Sequence, residues 1–271
     1  MVSEAMQTFQ ERVRKEYAEL LSATADLTGI AARLLPTPPD DSLQQTIRYF
    51  AASMTNSNIG LALLCMNGHG ADAVKLARGM FESQIALKYL IQNPAELRDF
   101  LEFDAVARWR RLQFYKSQHP ALYASFPEAK KSEVDREFVR VQRRFVGKGG
   151  KMRDRWCRYP IAEMAKRVGL AEMYELFYRY ASALHHLDPM GLGMLIDGES
   201  LDVQPAPSMA HIGIALGIGN LILLDALRDY SKVRQIDNEN AFKQVEQRLA
   251  KAKFACENAV VGALQHVIGY E

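Results

Sequence analysis

Two sets of residues in this chain have side-chain types and spacings that chemistry can use. Arg78 and Glu82 stand four residues apart, so a helix would place both on one face and let the carboxylate orient the guanidinium. An arginine held in this way can address a phosphate or a partner helix. The same spacing also makes a plain structural pair, worth ~0.3–0.5 kcal/mol on a surface, or one that fixes helix packing where it is buried. Ile85 and Tyr89 extend the stripe. In the second set, Tyr174, Tyr178, Ser182 and His185 recur at i, i+4, i+8 and i+11, while Arg179, Ser182 and His186 align at i, i+3 and i+7. Two adjacent histidines therefore border one polar strip, and either has the right ordinary pKa for general acid and base work. Asp188-Pro189 follows at once, so a structural role is equally open, with a histidine stabilised by the negative end of its own helix.

A third feature is charge. The segment from Arg140 to Arg158 holds eight Lys or Arg residues against one acid, Asp154, around the run Gly147-Lys148-Gly149-Gly150. Arg143, Arg144, Lys148 and Lys151 could track a phosphate backbone, and Arg108-Trp109-Arg110-Arg111 with Phe114 and Tyr115 could add stacking faces. The alternative is a solvated helix face over core aromatics. Net charge is only +2, so composition alone does not make a nucleic-acid coat.

Several chemistries are disfavoured. Gly149-Gly150-Lys151 lacks the full spacing of a phosphate-binding Walker loop and the strand before it. No H-E-x-x-H pattern occurs, Cys65-x-x-x-His69 is a two-ligand coincidence, and adjacent His185 and His186 diverge on a regular helix. No serine sits in a strand-to-turn elbow. Neither a metal nor an organic cofactor is therefore expected. Cys65, Cys157 and Cys256 are dispersed and odd in number, which fits a reducing compartment. The charged stretch Met1 to Tyr17 does not read as a secretory signal, so a cytoplasmic location is expected.

The elements that must position these residues read as all-α. With 271 residues and 48% apolar content, the chain can bury a large core. Phe9, Val13, Leu20, Leu27, Ile30 and Leu34 recur at helical spacing until Pro36, Pro38 and Pro39 stop them. Asp40, Asp41 and Ser42 offer N-caps for a second helix, which ends near Gly68 and Gly70. A third covers about Ala71 to Gln92. A fourth begins at Asn93-Pro94, carries Arg108 to Lys116 and ends or bends at His119-Pro120. Further helices are predicted over Lys131 to Phe145, Pro160 to Val168, Leu170 to His186, Pro207 to Tyr230 and Asn238 to Ile268, with a loop over Leu192 to Val203. The Gly147 to Gly150 run is a clear breaker and the best internal boundary.

The pattern predicts one up-and-down helical domain over 1–271: an N-terminal helix and proline turn (1–40), a central bundle (41–230) and a C-terminal helix (231–271). The apolar run Met209 to Leu224 is shorter than the ~20 residues that span a bilayer and contains His211 and Asn220, so it reads as a buried helix. Phe242, Val245, Leu249, Cys256, Val260 and Val267 form a stripe on the C-terminal helix. That stripe suits a homodimer or a cover for the protein's own core.

Arg78-x-x-x-Glu82, Asn93-Pro94, Trp156 with Ile161-Ala162-Glu163-Met164, and Tyr178-x-x-x-Ser182-x-x-His185 occur in that order. Over roughly Ala71 to Gly193 the chain thereby resembles an uncharacterised bacterial family of all-helical proteins, which in turn resembles the HEPN group. Ribonucleases of that group carry an arginine followed after four to six residues by a histidine, and Arg179 and His185 fit this pattern. The resemblance implies metal-independent RNA cleavage in stress or phage defence, often across a dimer. In that scheme the histidine assists the 2′-hydroxyl and the arginine stabilises the phosphorane. Tyr180 departs from the polar residue that usually follows the arginine. A six-residue offset also turns Arg179 away from His185, so either a helix break near Leu184 or the use of His186 is required. The expected site is thus Arg179, His185, Ser182 and His186 for chemistry, with Arg78, Glu82, Tyr178, Arg143, Arg144, Lys148 and Lys151 binding RNA. The alternative is a non-catalytic partner-binding or regulatory module whose polar strip locks the bundle.

Overall fold

The computed structural model describes residues 4–186, 189 and 207–252. Among these the protein is all-helical, with two isolated β-bridges, His69 to Ser208 and Val146 to Met152. The chain, read from its sequence as one helical domain, divides into two compact units: Met1–Ile91 with Met164–Glu271, and Gln92–Glu163.

In the first unit the N-terminal pattern forms two helices rather than one, α1 (Glu4–Glu16) and α2 (Ala18–Leu34), separated at Tyr17. On α2 the buried residues Leu20, Ala23, Leu27, Ile30 and Leu34 step by three and four, the period of a helix with one apolar face. Helix α3 (Ser42–Met66) starts where Asp41 accepts a 2.8 Å hydrogen bond from the Gln44 N–H, as the cap residues predict. Its buried face runs Ile47, Ala51, Met54, Asn58, Leu61 and Cys65. Helix α4 (Gly70–Gln92) follows after a tight turn.

Two glycines make that turn. Gly68 has φ +80°, a conformation that costs a side chain free energy. At Gly70 a Cβ would sit 2.1 Å from the Ala210 carbonyl oxygen, so two backbones touch there.

Residues Ala171–Met173 (α9), a π-helical turn at Tyr174–Tyr178 and α10 (Arg179–His186) carry the second chemical strip. Helix α11 (Ile212–Val233) is the predicted buried helix, starting five residues later than the Pro207 expected for it, and it packs against α2 and α3. No helix among the described residues is long and apolar enough to cross a membrane.

Asn220, polar in an apolar helix, sits fully buried at that three-helix contact. Its Nδ2 donates to the Leu20 carbonyl at 2.8 Å, and its Oδ1 accepts from Thr24 Oγ1 and Asn58 Nδ2, both at 2.9 Å. A buried polar group is tolerable only when bonded in this way, and the bonds fix the register of three helices at once. Helical residues 239–252 bury Phe242, Val245 and Leu249 within the chain, so the described part of the candidate dimer stripe covers the protein's own core. Cys256, Val260 and Val267, with the rest of the expected C-terminal helix, lie outside the described residues, as does the Leu192 to Val203 loop.

The second unit holds α5 (Leu97–Gln118), α6 (Pro120–Ser125) and α7 (Glu128–Val141), and the chain leaves it within α8 (Ile161–Arg167), after Glu163. Its core is small: Ala105, Val106, Phe138, Val141 and Phe145, with Phe103, Trp109 and Met152 packed against it. Trp109 stacks on Phe138 at 3.9 Å, joining α5 to α7. The Gly147 to Gly150 run does not separate the units. It lies inside this one, in a turn closed by Gly147 N–H to the Lys151 carbonyl (2.7 Å) and Arg153 N–H to the Phe145 carbonyl (2.7 Å).

Candidate functional site

Helix α4 brings Arg78 and Glu82 to one face, and α10 with the π-turn before it brings Tyr178 and Ser182 to meet them. Arg78 donates from Nε to Ser182 Oγ and from Nη2 to the Tyr178 hydroxyl, each at 2.9 Å. Tyr178 donates in turn to Glu82 Oε1 at 2.8 Å, and Glu82 pairs with Arg78 Nη2 at 3.0 Å. The guanidinium carbon also lies 4.8 Å from the centre of the Tyr178 ring. The four polar groups therefore form a closed set: the cation is neutralised by the carboxylate, and the phenol relays between them. The Arg78 side chain is 17% exposed and Glu82 41%, so the set opens to solvent at the carboxylate. Burial, and then the hydrogen bond to Glu82, raise the Tyr178 phenol above its ordinary pKa, so it stays protonated as the donor.

Aromatic packing holds this arrangement. Phe81, one turn from Arg78, meets Phe177 edge-on at 6.2 Å and Tyr178 at 6.1 Å. The π-turn inserts extra backbone ahead of α10 and stacks Tyr174 on Tyr178 at 4.7 Å. The regular spacing predicted from Tyr174 onward therefore holds only from Tyr178, through Ser182 to His185.

The histidines fall elsewhere. His185 and His186 are both exposed, their rings edge-on at 4.9 Å, and no hydrogen bond links His185 to the Arg78 set among the described residues. Arg179 is 66% exposed and paired with Glu175 at 2.5 Å, one turn back. Because α10 runs unbroken past Leu184, Arg179 shares a face with His186 and not with His185.

The basic tract is largely neutralised within its own unit. Arg140 bonds Glu102 at 2.8 Å, Arg144 bonds Asp99 through Nε at 3.0 Å, Arg153 lies 3.6 Å from Asp99, and Arg158 reaches Glu96 at 3.3 Å. Arg155 takes Asp154 at 2.9 Å. Asp99, Glu96 and Glu102 stand on or just before the first turns of α5, 38 to 62 residues from the arginines they meet. Arg143 and Lys151 are exposed, and the Lys148 side chain is not among those described. The proposed stacking segment is engaged in part: Trp109 lies on Phe138, Arg108 pairs with Asp104 and Glu137, and Arg110 donates to the Arg153 carbonyl at 2.7 Å, while Phe114 is 52% exposed.

A second interhelical ion cluster was missed. Lys88 bonds Asp225 and Asp229, both at 2.8 Å, and Gln84 donates to Asp225 at 2.6 Å. Burial alone would lower the lysine's pKa, but its two carboxylate bonds hold it above the ordinary value. The signal was present in the i, i+4 spacing of Gln84 with Lys88 and of Asp225 with Asp229. The described residues contain no group of three or more His, Cys, Asp or Glu able to hold a metal.

The fold and this site define an all-α protein with a closed Arg–Glu–Tyr–Ser clamp between two helices. Residues 45–203 match a protein family of unknown function, DUF5677, and the chain belongs to that family. No curated protein and no solved structure matches it.

Proposed function

We propose that the chain acts as a non-catalytic helical binding or regulatory module in which the α4–α10 polar strip locks the bundle. One observation carries this reading: Nε and Nη2 of Arg78 are engaged by Ser182, Tyr178 and Glu82, so that edge of the guanidinium is satisfied from within the strip. A phosphate brought to it would meet a guanidinium already neutralised, beside a half-open carboxylate that repels it. The pairing of Arg179 with Glu175, and of the 140–158 arginines with the acids of the second unit, points the same way.

A second reading has its own support, the exposure of His185 and His186. In this reading the chain is a metal-independent endoribonuclease or RNA-binding effector of bacterial stress or phage defence. Arg179 and His186 would be the facing pair, once Glu175 releases the arginine to an RNA phosphate. A homodimer would supply the second half of such a site.

Purified protein incubated with total RNA, beside Arg179→Ala, His185→Ala and His186→Ala, separates the two. The module reading expects intact RNA in every lane. Cleavage by the unmutated protein that is lost with His186→Ala or His185→Ala would overturn it in favour of the ribonuclease.

A further inference from the structure

Helices α2 and α3 pack together, with Leu27, Ile30, Ile47 and Met54 buried, and small residues of both helices line a cleft beside them. Ala31 and Ala32 of α2 and Ala52 of α3 line this cleft, whose volume is about 650 Å³. Leu35 and Pro36 line one end, where the proline turn begins, and the ring of Tyr49, 67% exposed, lines the α3 side. Sites for small organic ligands have volumes of about 300–1,000 Å³, mostly apolar walls and a few placed polar groups.

The polar groups of this cleft are unevenly committed. Thr28 donates its hydroxyl to the Thr24 carbonyl and Thr55 to the Ala51 carbonyl, each at 2.8 Å, so neither has a proton to offer a ligand. Arg48 and Gln45 differ: among the described residues neither side chain makes a hydrogen bond, and Arg48 makes no ion pair. Among the described residues, Arg48 is the one charged residue lining the cleft, and no acid lines it. This contrasts with the arginines of the Arg140 to Arg158 tract, five of which have carboxylate partners.

We infer that the α2–α3 cleft binds an amphipathic monoanion, its carboxylate on Arg48 and Gln45 and its apolar body along the alanine-lined walls against Tyr49. The inference holds for either reading of the α4–α10 strip. The test uses the whole chain and the dye anilinonaphthalene sulfonate, whose emission rises on entering an apolar site, with decanoate and decanol as competitors of equal chain length.

The dye should bind, decanoate should displace it, and decanol should compete much less well. A charge-assisted hydrogen bond contributes ~1.5–3 kcal/mol, so Arg48→Gln should weaken binding by about ten-fold or more. Ala52→Phe, which fills the cleft, should abolish binding, with thermal melting used to check that the fold survives. Arg48→Gln replaces an unpartnered, partly exposed side chain and so tests the site even if Ala52→Phe does not fold. Dye affinity unchanged in Arg48→Gln, or decanol competing as well as decanoate, would overturn the inference.

Discussion

Tyr178 shows how much one hydroxyl can organise. It accepts from Arg78 and donates to Glu82, so it closes the polar set between α4 and α10. Removing only that oxygen, as Tyr178→Phe, keeps the ring on Phe81 and Tyr174 but leaves Arg78 short of an acceptor in a mostly buried place. The expected cost is about 1–3 kcal/mol of stability, the penalty for an unmet buried polar group. Urea unfolding followed by far-ultraviolet circular dichroism measures it. A midpoint equal to that of the unmutated protein would mean that the clamp does not stabilise the fold.

At the scale of elements, α4 carries two glycines with opposite requirements. Gly70 begins the helix where its Cα approaches the chain at Ala210 to Ile212, and an added Cβ would meet a carbonyl oxygen at 2.1 Å and an amide nitrogen at 2.8 Å. Both obstacles are backbone and cannot rotate aside. Gly79 lies exposed on the same helix with nothing within 4 Å of its would-be Cβ. Gly70→Ala should therefore destabilise the protein by about 3 kcal/mol, at the upper end for overpacking. Gly79→Ala should stabilise it by roughly 0.5–1 kcal/mol through helix propensity. Opposite signs in parallel urea melts are the expected result, and equal signs would refute this account of the α3–α4 turn.

For the molecule as a whole, the two units rest on different interactions. The first has a broad apolar core with the Asn220 network inside it, whereas the second combines a small core with ion pairs centred on Glu102 and Asp99. Burial alone would raise the Glu102 carboxyl, but hydrogen bonds from Arg140 and Arg98 outweigh it and hold the group below the ordinary carboxylate range. A depressed folded-state pKa contributes stability that is fully present above the unfolded value of ~4.3. That contribution is lost as pH falls through the lower folded value. Both tryptophans, Trp109 and Trp156, lie in the second unit, so tryptophan fluorescence reports on it selectively. Its urea midpoint should fall as pH drops below the carboxylate range, and Glu102→Gln should lower the midpoint at neutral pH while flattening the pH dependence. A midpoint with the same pH dependence in both proteins would rule out this role for Glu102.

Local patterns settled what the sequence determined alone. The three-and-four spacing on α2 and α3, the continuous apolar run of α11, the Asp41 cap and the prolines after Leu35 are local features of the chain, and they suffice for the helical class and most boundaries. Two polar stripes on otherwise apolar helices have few low-cost places to go, so the sequence leads one to expect Arg78 and Glu82 to meet the strip of Tyr178, Ser182 and His185; Tyr178 and Ser182 make that contact, and His185 makes no hydrogen bond to it among the described residues. Tertiary structure decided the rest. The break at Tyr17 and the π-turn at Tyr174–Tyr178 are departures from regular helix that spacing cannot announce. The basic segment looked unpaired because the acids that neutralise it lie 38 to 62 residues away on or before α5. Partners so distant along the chain meet only once α5 and α7 have packed, so charge counted along the sequence overstates charge left on the surface.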